Sequence, residues 1–275
     1  MSRRPSRRAN PFASPSVGKN VRTLSLAAGV MTDIGPAKMV EVCTRAGWPA
    51  CGIWYDHSTW DAATTREVRR RLDDSGLSVL DVEPILPRDG HDDHGEALID
   101  VAAELGAKFV LFASRLSELD HSVERYRQLC AHAHSSGVTI ACEFLPLFPV
   151  KNLSLATQIV ERSGAENSGV LIDNLHLARS GSTVAEVRAL DPALFPYVQI
   201  ADAPASAPAT MADLGWEAMN GRTCPGEGEL PIAELLSAVP DVPISFEIRS
   251  AKLIEDFPDP FERAAHVWAR CRSLA

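Results

Sequence analysis

From residue 23 onward, short runs of apolar, β-branched and aromatic residues alternate with longer stretches whose apolar positions recur every three or four residues. The short runs predict strands over Leu24 to Ala28, Ala50 to Trp54, Leu77 to Glu83, Lys108 to Ala113, Val138 to Glu143, Gly169 to Asp173, Tyr197 to Ala201 and Ile244 to Ile248. The longer stretches predict helices over Pro36 to Ala46, Ala62 to Ser75, Glu96 to Leu105, His121 to Ser135, Ser154 to Ser163, Thr183 to Leu190, Ile232 to Ala238 and Asp259 to Arg272. Glycines at 47, 76, 106, 137 and 164 stand where these helices should stop and short turns should lead into the next strand. Apolar strands joined by helices imply a parallel sheet covered on both faces. Eight such units predict an α/β protein of one domain, a (β/α)8 TIM barrel. An open doubly wound sheet is the alternative, but no G-x-G-x-x-G follows the first strand.

Composition narrows the class without changing the fold. Apolar residues make up 45% and charged residues 23% of 275, the balance of a soluble globular protein. The longest apolar runs, such as FVLFA and VTIAC, fall far short of the roughly 18 to 20 residues of a membrane span. Residues 1–20 carry Arg3, Arg4, Arg7, Arg8 and Lys19 with no acid, so removing these five positive charges from the net −9 leaves −14 on the rest. A body this acidic repels phosphates, which argues against a nucleic-acid partner. The first twenty residues read as a disordered basic extension, with a transit peptide as the alternative, and the barrel is expected over residues 21–275. Six scattered cysteines without a C-x-x-C pair point to reduced, buried thiols and a cytoplasmic protein; Cys43 and Cys51 are close enough in sequence to meet.

Candidate chemistry lies at the strand ends. In a parallel barrel the carboxyl ends of all strands share one face, where active sites are built. The predicted strands five to eight end at Glu143, Asp173, Gln199 with Asp202 nearby, and Glu247. Carboxylates crowded together without a counterion repel or take up protons, and a divalent cation resolves the conflict. Each residue also has a plainer reading: Glu143 paired with a rim arginine, Glu247 with Arg249, and Asp173 capping the following turn. Some forty residues separate the seventh and eighth strands, a length typical of a substrate-binding loop.

The series ACEF, LIDNLH, YVQIADAP, PGEGELP and ISFEI resembles the sugar phosphate isomerase/epimerase branch of the xylose isomerase-like TIM barrels, over roughly residues 22 to 272. The resemblance implies a divalent metal held by Glu143, Asp173, Gln199 and Glu247, with Glu143 and Glu247 as the catalytic pair and His176 as a substrate contact. Gln199 stands where that branch commonly has histidine, and glutamine there is similar to the dehydroshikimate dehydratase-like members. An all-oxygen set favours Mn²⁺ or Mg²⁺, with Co²⁺ as a further candidate. Glu83, Trp54, Arg222 and Asp202 are further candidate substrate contacts, arginine being suited to a carboxylate or phosphate.

The expected activity is metal-dependent isomerisation or epimerisation of a small polyhydroxy ketone, by proton transfer through an enediolate. Dehydration of a keto-polyol or dehydroshikimate-like acid on the same scaffold is the alternative. A DNA-repair enzyme is disfavoured because the predicted ligand set holds no histidine and the body is acidic; a non-catalytic binding module is the remaining case. The expected partner is a small-molecule substrate, with no nucleic acid and no membrane, and the ring of helices is compatible with a homo-oligomer.

Overall fold

Side chains on a strand point alternately to its two faces, and this alternation sorts the apolar residues of the chain into two cores. The computed structural model describes residues 22–274. Its strands are β1 (Leu24–Leu26), β2 (Ala50–Trp54), β3 (Ser78–Ile85), β4 (Phe109–Phe112), β5 (Thr139–Glu143), β6 (Ser168–Asp173), β7 (Val198–Ile200) and β8 (Ile244–Phe246). They close into one barrel in chain order, and β8 pairs in parallel with β1 through Leu24 opposite Ile244 and Leu26 opposite Phe246. Val110, Phe112, Ile140, Cys142, Val170, Ile172, Val198 and Ile200 join the large core beneath the helices. Their neighbours Leu111, Ala141, Leu171 and Tyr197 form a smaller cluster inside the barrel with Ala50 and Leu80.

The same parity places Ser25, Glu143, Asp173, Gln199, Ser245 and Glu247 inside the barrel, because each alternates with a residue of the outer core. In β3 the pairing skips a residue, with Cys51 opposite Val79 and Gly52 opposite Asp81. An extra residue of this kind changes which face its neighbours occupy, so Leu80 packs in the inner cluster and Asp81 also reaches inward, to Tyr197. A Cβ on Gly52 would stand 2.8 Å from Asp81 Oδ1 and 3.0 Å from the Ala28 amide nitrogen. Only glycine fits beside that carboxyl.

The eight predicted helices are present within a few residues: α1 (Pro36–Ala46), α2 (Ala62–Ser75), α3 (Gly95–Leu105), α4 (Leu119–Ala133), α5 (Leu153–Ser163), α7 (Val184–Ala189), α9 (Ile232–Ala238) and α11 (Pro260–Cys271). Helix α1 shows the local logic: Pro36 opens it and Gly47, at φ 83°, closes it in the left-handed conformation. Three helices were not expected: α6 (Asn174–Arg179), α8 (Met211–Asn220) and α10 (Ala251–Asp256). Helices α6 and α10 are six residues long, with α6 opened by the Asp173 cap and α10 by Ser250, and α8 leaves Met211 and Trp216 exposed.

The expected basic extension, residues 1–20, lies outside the described residues. No helix among the described residues is long and apolar enough to cross a membrane. All six cysteines are buried and free; the Cys43 thiol donates to Met39 Sδ at 3.9 Å, and burial, with Cys51 nearby, raises its pKa.

Candidate metal centre

Asp173, the acid that ends β6, serves two partners at once. Its Oδ1 accepts from the amides of Leu175 and His176, at 2.8 and 3.0 Å, and so caps α6. Its Oδ2 receives Arg222 Nη1 at 2.5 Å. The same Nη1 lies 3.1 Å from Glu247 Oε2 and donates to the Glu247 carbonyl at 3.2 Å, while Arg222 Nε donates to the Ala218 carbonyl. Arg222 is wholly buried. Burial alone would raise the Asp173 pKa; the Arg222 charge and the α6 amide outweigh it and hold the carboxyl at about 2.

The first cation to answer the crowded acids is therefore a guanidinium delivered by the long β7–β8 connection. One guanidinium is not enough. Asp81, Glu83, Glu143, Asp173 and Glu247 are all buried within the barrel or at its mouth. Burial, joined by the charges of Glu247 and Asp173, pushes Glu143 well above the usual carboxylate range against the opposing pull of Arg222. Glu83 is raised in the same way by burial and by Asp81, and Glu247 by burial despite Arg222.

His176, buried on α6, is held neutral. Burial, opposed by Asp173 and aided by Arg222, lowers its pKa to about 4. Arg222 Nη2 lies 3.4 Å from His176 Nε2. A guanidinium only donates, so Nε2 is the acceptor nitrogen of the neutral ring. The same nitrogen lies 3.9 Å from Glu143 Oε1.

These residues fit a divalent ion. Glu143, Asp173 and His176 each offer a ligand atom, all within 4.8 Å of one another. The Gln199 amide, fully buried on β7, has neither its oxygen nor its nitrogen hydrogen-bonded. An orphaned buried amide normally costs on the order of 1–3 kcal/mol, and a cation beside its oxygen would remove part of that cost. The surplus of acids over cations calls for positive charge at the same place. The structure thus adds a nitrogen donor, His176, to the expected oxygen set.

A cavity of about 350 Å³ opens at this face and is lined by Trp54, Glu83, Glu143, His176, Arg222 and Glu247 among others. Trp54 stands at its edge, 41% exposed, with the Arg249 guanidinium 5.7 Å from its ring. Asp202, expected as a substrate contact, is not among the residues that line the cavity. Its Oδ1 accepts from the amides of Ala203 and Leu230 and its Oδ2 from Gly226, which ties it to the PGEG turn and the residues that follow. Asp81 and Tyr197, two residues not expected at the site from the sequence, meet in the barrel interior with Tyr197 donating to Asp81 Oδ2 at 3.1 Å. The spacing of Asp81 and Glu83 on one strand was the signal that could have found Asp81.

Asp81 carries a prediction. Burial, opposed by the Tyr197 hydrogen bond and helped by the Glu247 charge, pushes its pKa up to about 7. The folded state therefore holds a proton that the unfolded chain gives up near pH 4, and stability falls as pH rises from 4 through 7. Asp81→Asn mimics the neutral form and removes this loss, worth on the order of a few kcal/mol. The expected result is a higher Tm than wild type at pH 8 and little change at pH 4. Thermal denaturation across that range checks it, and an equal shift at both pH values would rule the assignment out.

A family model described as xylose isomerase-like TIM barrel matches residues 33–271. No curated protein matches the chain. Among solved structures, a xylose isomerase-like TIM barrel/4-hydroxyphenylpyruvate dioxygenase fusion protein is 22% identical with a TM-score of 0.75; the match covers 92% of this chain and 44% of that one, so the chain spans less than half of the fusion. The IolI protein with a bound zinc atom is 20% identical, with a TM-score of 0.74 over 90% of this chain and 99% of that chain. D-allulose 3-epimerase from Methylomonas sp. is 17% identical, with a TM-score of 0.67 over 92% and 98%. At these identities the structures share the fold, while the family match spans most of the sequence. The chain belongs to the xylose isomerase-like TIM-barrel family.

Proposed function

We propose that the chain is a divalent-metal-dependent isomerase or epimerase of a small polyhydroxy ketone, moving a proton on the carbon beside the carbonyl through an enediolate. The observation that carries this reading is the placement of Glu143 and Glu247 in one cavity, both buried and both beside the Asp173–Arg222 pair. A divalent ion, Mn²⁺ or Mg²⁺ with Co²⁺ as a further candidate, held by Glu143, Asp173, Gln199 and Glu247 with His176 adjacent, would polarise the substrate carbonyl. The zinc atom of the IolI structure is consistent with a divalent ion in this fold.

Of the two glutamates, one removes the proton and the other returns it, and each is suited to the task because burial raises its pKa above the usual carboxylate range. Arg222 keeps Asp173 ionised and orients Glu247. The neutral His176 lines the cavity from α6, between Arg222 and Glu143, and borders the substrate there. Glu83 and Trp54 complete the substrate contacts from β3 and β2. Free buried thiols and the acidic body support a cytoplasmic enzyme of small molecules rather than of nucleic acid.

A second reading, dehydration of a keto acid, has one observation of its own. Arg115 lines the cavity with its guanidinium 4.5 Å from the Phe148 ring, and it has no carboxylate partner among the described residues. An unpaired guanidinium suits a substrate carboxylate. Incubation with Mn²⁺ and candidate ketoses or cyclic keto acids in D₂O separates the two. Deuterium entering the carbon beside the carbonyl without loss of water supports the isomerase; release of water with a new conjugated C=C absorbance supports the lyase. No exchange with any member of either panel would count against both.

A further inference from the structure

A second group of metal-ligating side chains lies away from the barrel mouth, where the β7–β8 connection meets α11. Cys224, Pro225, Gly226 and Glu227 form a tight turn in which the Glu227 amide donates to the Cys224 carbonyl at 3.0 Å. Proline followed by a glycine at φ 87° is the sequence such a turn requires. The turn sets the side chains of its first and last residues next to each other, and Glu227 Oε2 accepts from the Cys224 amide at 3.1 Å. Gly226 is tied in turn to Asp202 at 2.8 Å, so the turn is fixed to the end of β7. From the other side, α11 presents His266, whose ring stacks on Phe257 at 4.2 Å. The Cys224 sulfur, a Glu227 oxygen and a His266 ring nitrogen all lie within 4.8 Å of one another.

We propose that Cys224, Glu227 and His266 form a second metal site, selective for zinc or another borderline-soft divalent ion, which clips the β7–β8 connection to α11. Sulfur, nitrogen and oxygen from three side chains, with a fourth position left for water, is a zinc donor set. It contrasts with the oxygen-rich barrel mouth. Tetrahedral zinc needs its donors about 3.5 Å apart, so any of the three separations still near the 4.8 Å limit closes on binding. The surrounding contacts are those of a supported site. Arg270, one helical turn beyond His266, binds Glu227 Oε1 at 2.5 Å, and ligating carboxylates are commonly held by such an outer partner. Glu227 is exposed and His266 partly so, which gives the ion a way in, while Cys224 is buried behind them. Burial and the Glu227 charge, opposed by Arg270, push the Cys224 thiol up to about 12, so metal binding must release its proton. Arg222 lies two residues before Cys224, and the clip therefore also steadies the stretch that delivers the buried guanidinium.

Cobalt(II) titration of the full-length protein tests the site, because a thiolate bound to Co²⁺ gives a near-ultraviolet charge-transfer band that the barrel-mouth donors, oxygen and nitrogen only, cannot produce. The expected result is that band complete within two equivalents, since the barrel mouth can also take Co²⁺; it is displaced by Zn²⁺, lost in Cys224→Ser and in His266→Ala, and kept in Glu143→Gln. His266 is partly exposed, so its replacement leaves the fold intact and serves as the control for the buried cysteine. Absence of the band in the wild type, or its persistence in His266→Ala, would overturn the proposal without touching the barrel-mouth reading.

Discussion

Glu143→Gln is expected to lower the rate of solvent deuterium exchange into a substrate ketose by roughly 10²- to 10⁴-fold, the range of a positioned acid or base. Glutamine keeps the shape of the carboxyl but can neither take nor return a proton. The fold should be untouched. Glu143 sits among Glu247, Asp173 and Glu83, whose charges together with burial already favour its neutral form, and the amide is an isostere of that form. The Tm of the metal-free variant should match or slightly exceed that of the wild type. Exchange kinetics and thermal denaturation of the same preparation check both halves. A variant retaining more than a tenth of the exchange rate would remove Glu143 from the proton transfer.

Arg222→Met has the opposite signature. Methionine fills much of the space but leaves Asp173 Oδ2 and Glu247 Oε2 without the cation now 2.5 and 3.1 Å away. Removing one partner of a buried ion pair typically costs about 3–5 kcal/mol. For a chain of this length that corresponds to a fall of roughly 10 °C in Tm. The pH dependence follows from Asp173, whose folded pKa of about 2 lies below its unfolded value. Its contribution is fully present above pH 4 and is lost as pH falls toward 2. The gap in Tm between wild type and variant should therefore be widest near neutrality and should close in acid. A variant as stable as the wild type at pH 7 in the absence of metal would show that Arg222 is not the counterion of these acids.

The barrel and the positions of its inward acids were legible because both follow from local patterns. Eight apolar runs punctuated by helices define the strands, and strict alternation against the outer core decides that Glu143, Asp173, Gln199 and Glu247 face inward. Ranges such as Ala50–Trp54, Pro36–Ala46 and Ala62–Ser75 match the predicted boundaries to the residue. What was hidden depends on contacts between residues distant in sequence. Arg222 reaches Asp173 across 49 positions; sequence showed it in a long connection and suggested a substrate contact, but not that it is the buried partner of two acids. Asp202 looks like one more strand-end acid, yet its carboxylate accepts from three amides, two of them, Gly226 and Leu230, from the long connection that only folding brings to it. Asp81 keeps the two-residue period with Glu83, but the skipped residue just before it breaks the alternation with Val79 and Leu80, so counting from the start of β3 puts it on the wrong face. The six-residue α6 follows from the Asp173 cap rather than from any apolar periodicity.

Anomalous diffraction at the manganese edge, from crystals grown with Mn²⁺, tests the central claim most directly. The account predicts one strong peak at the barrel mouth, about 2–2.5 Å from oxygens of Glu143, Asp173, Gln199 and Glu247. A map with no peak there, and with the Arg222 guanidinium alone bridging Asp173 and Glu247, would contradict it.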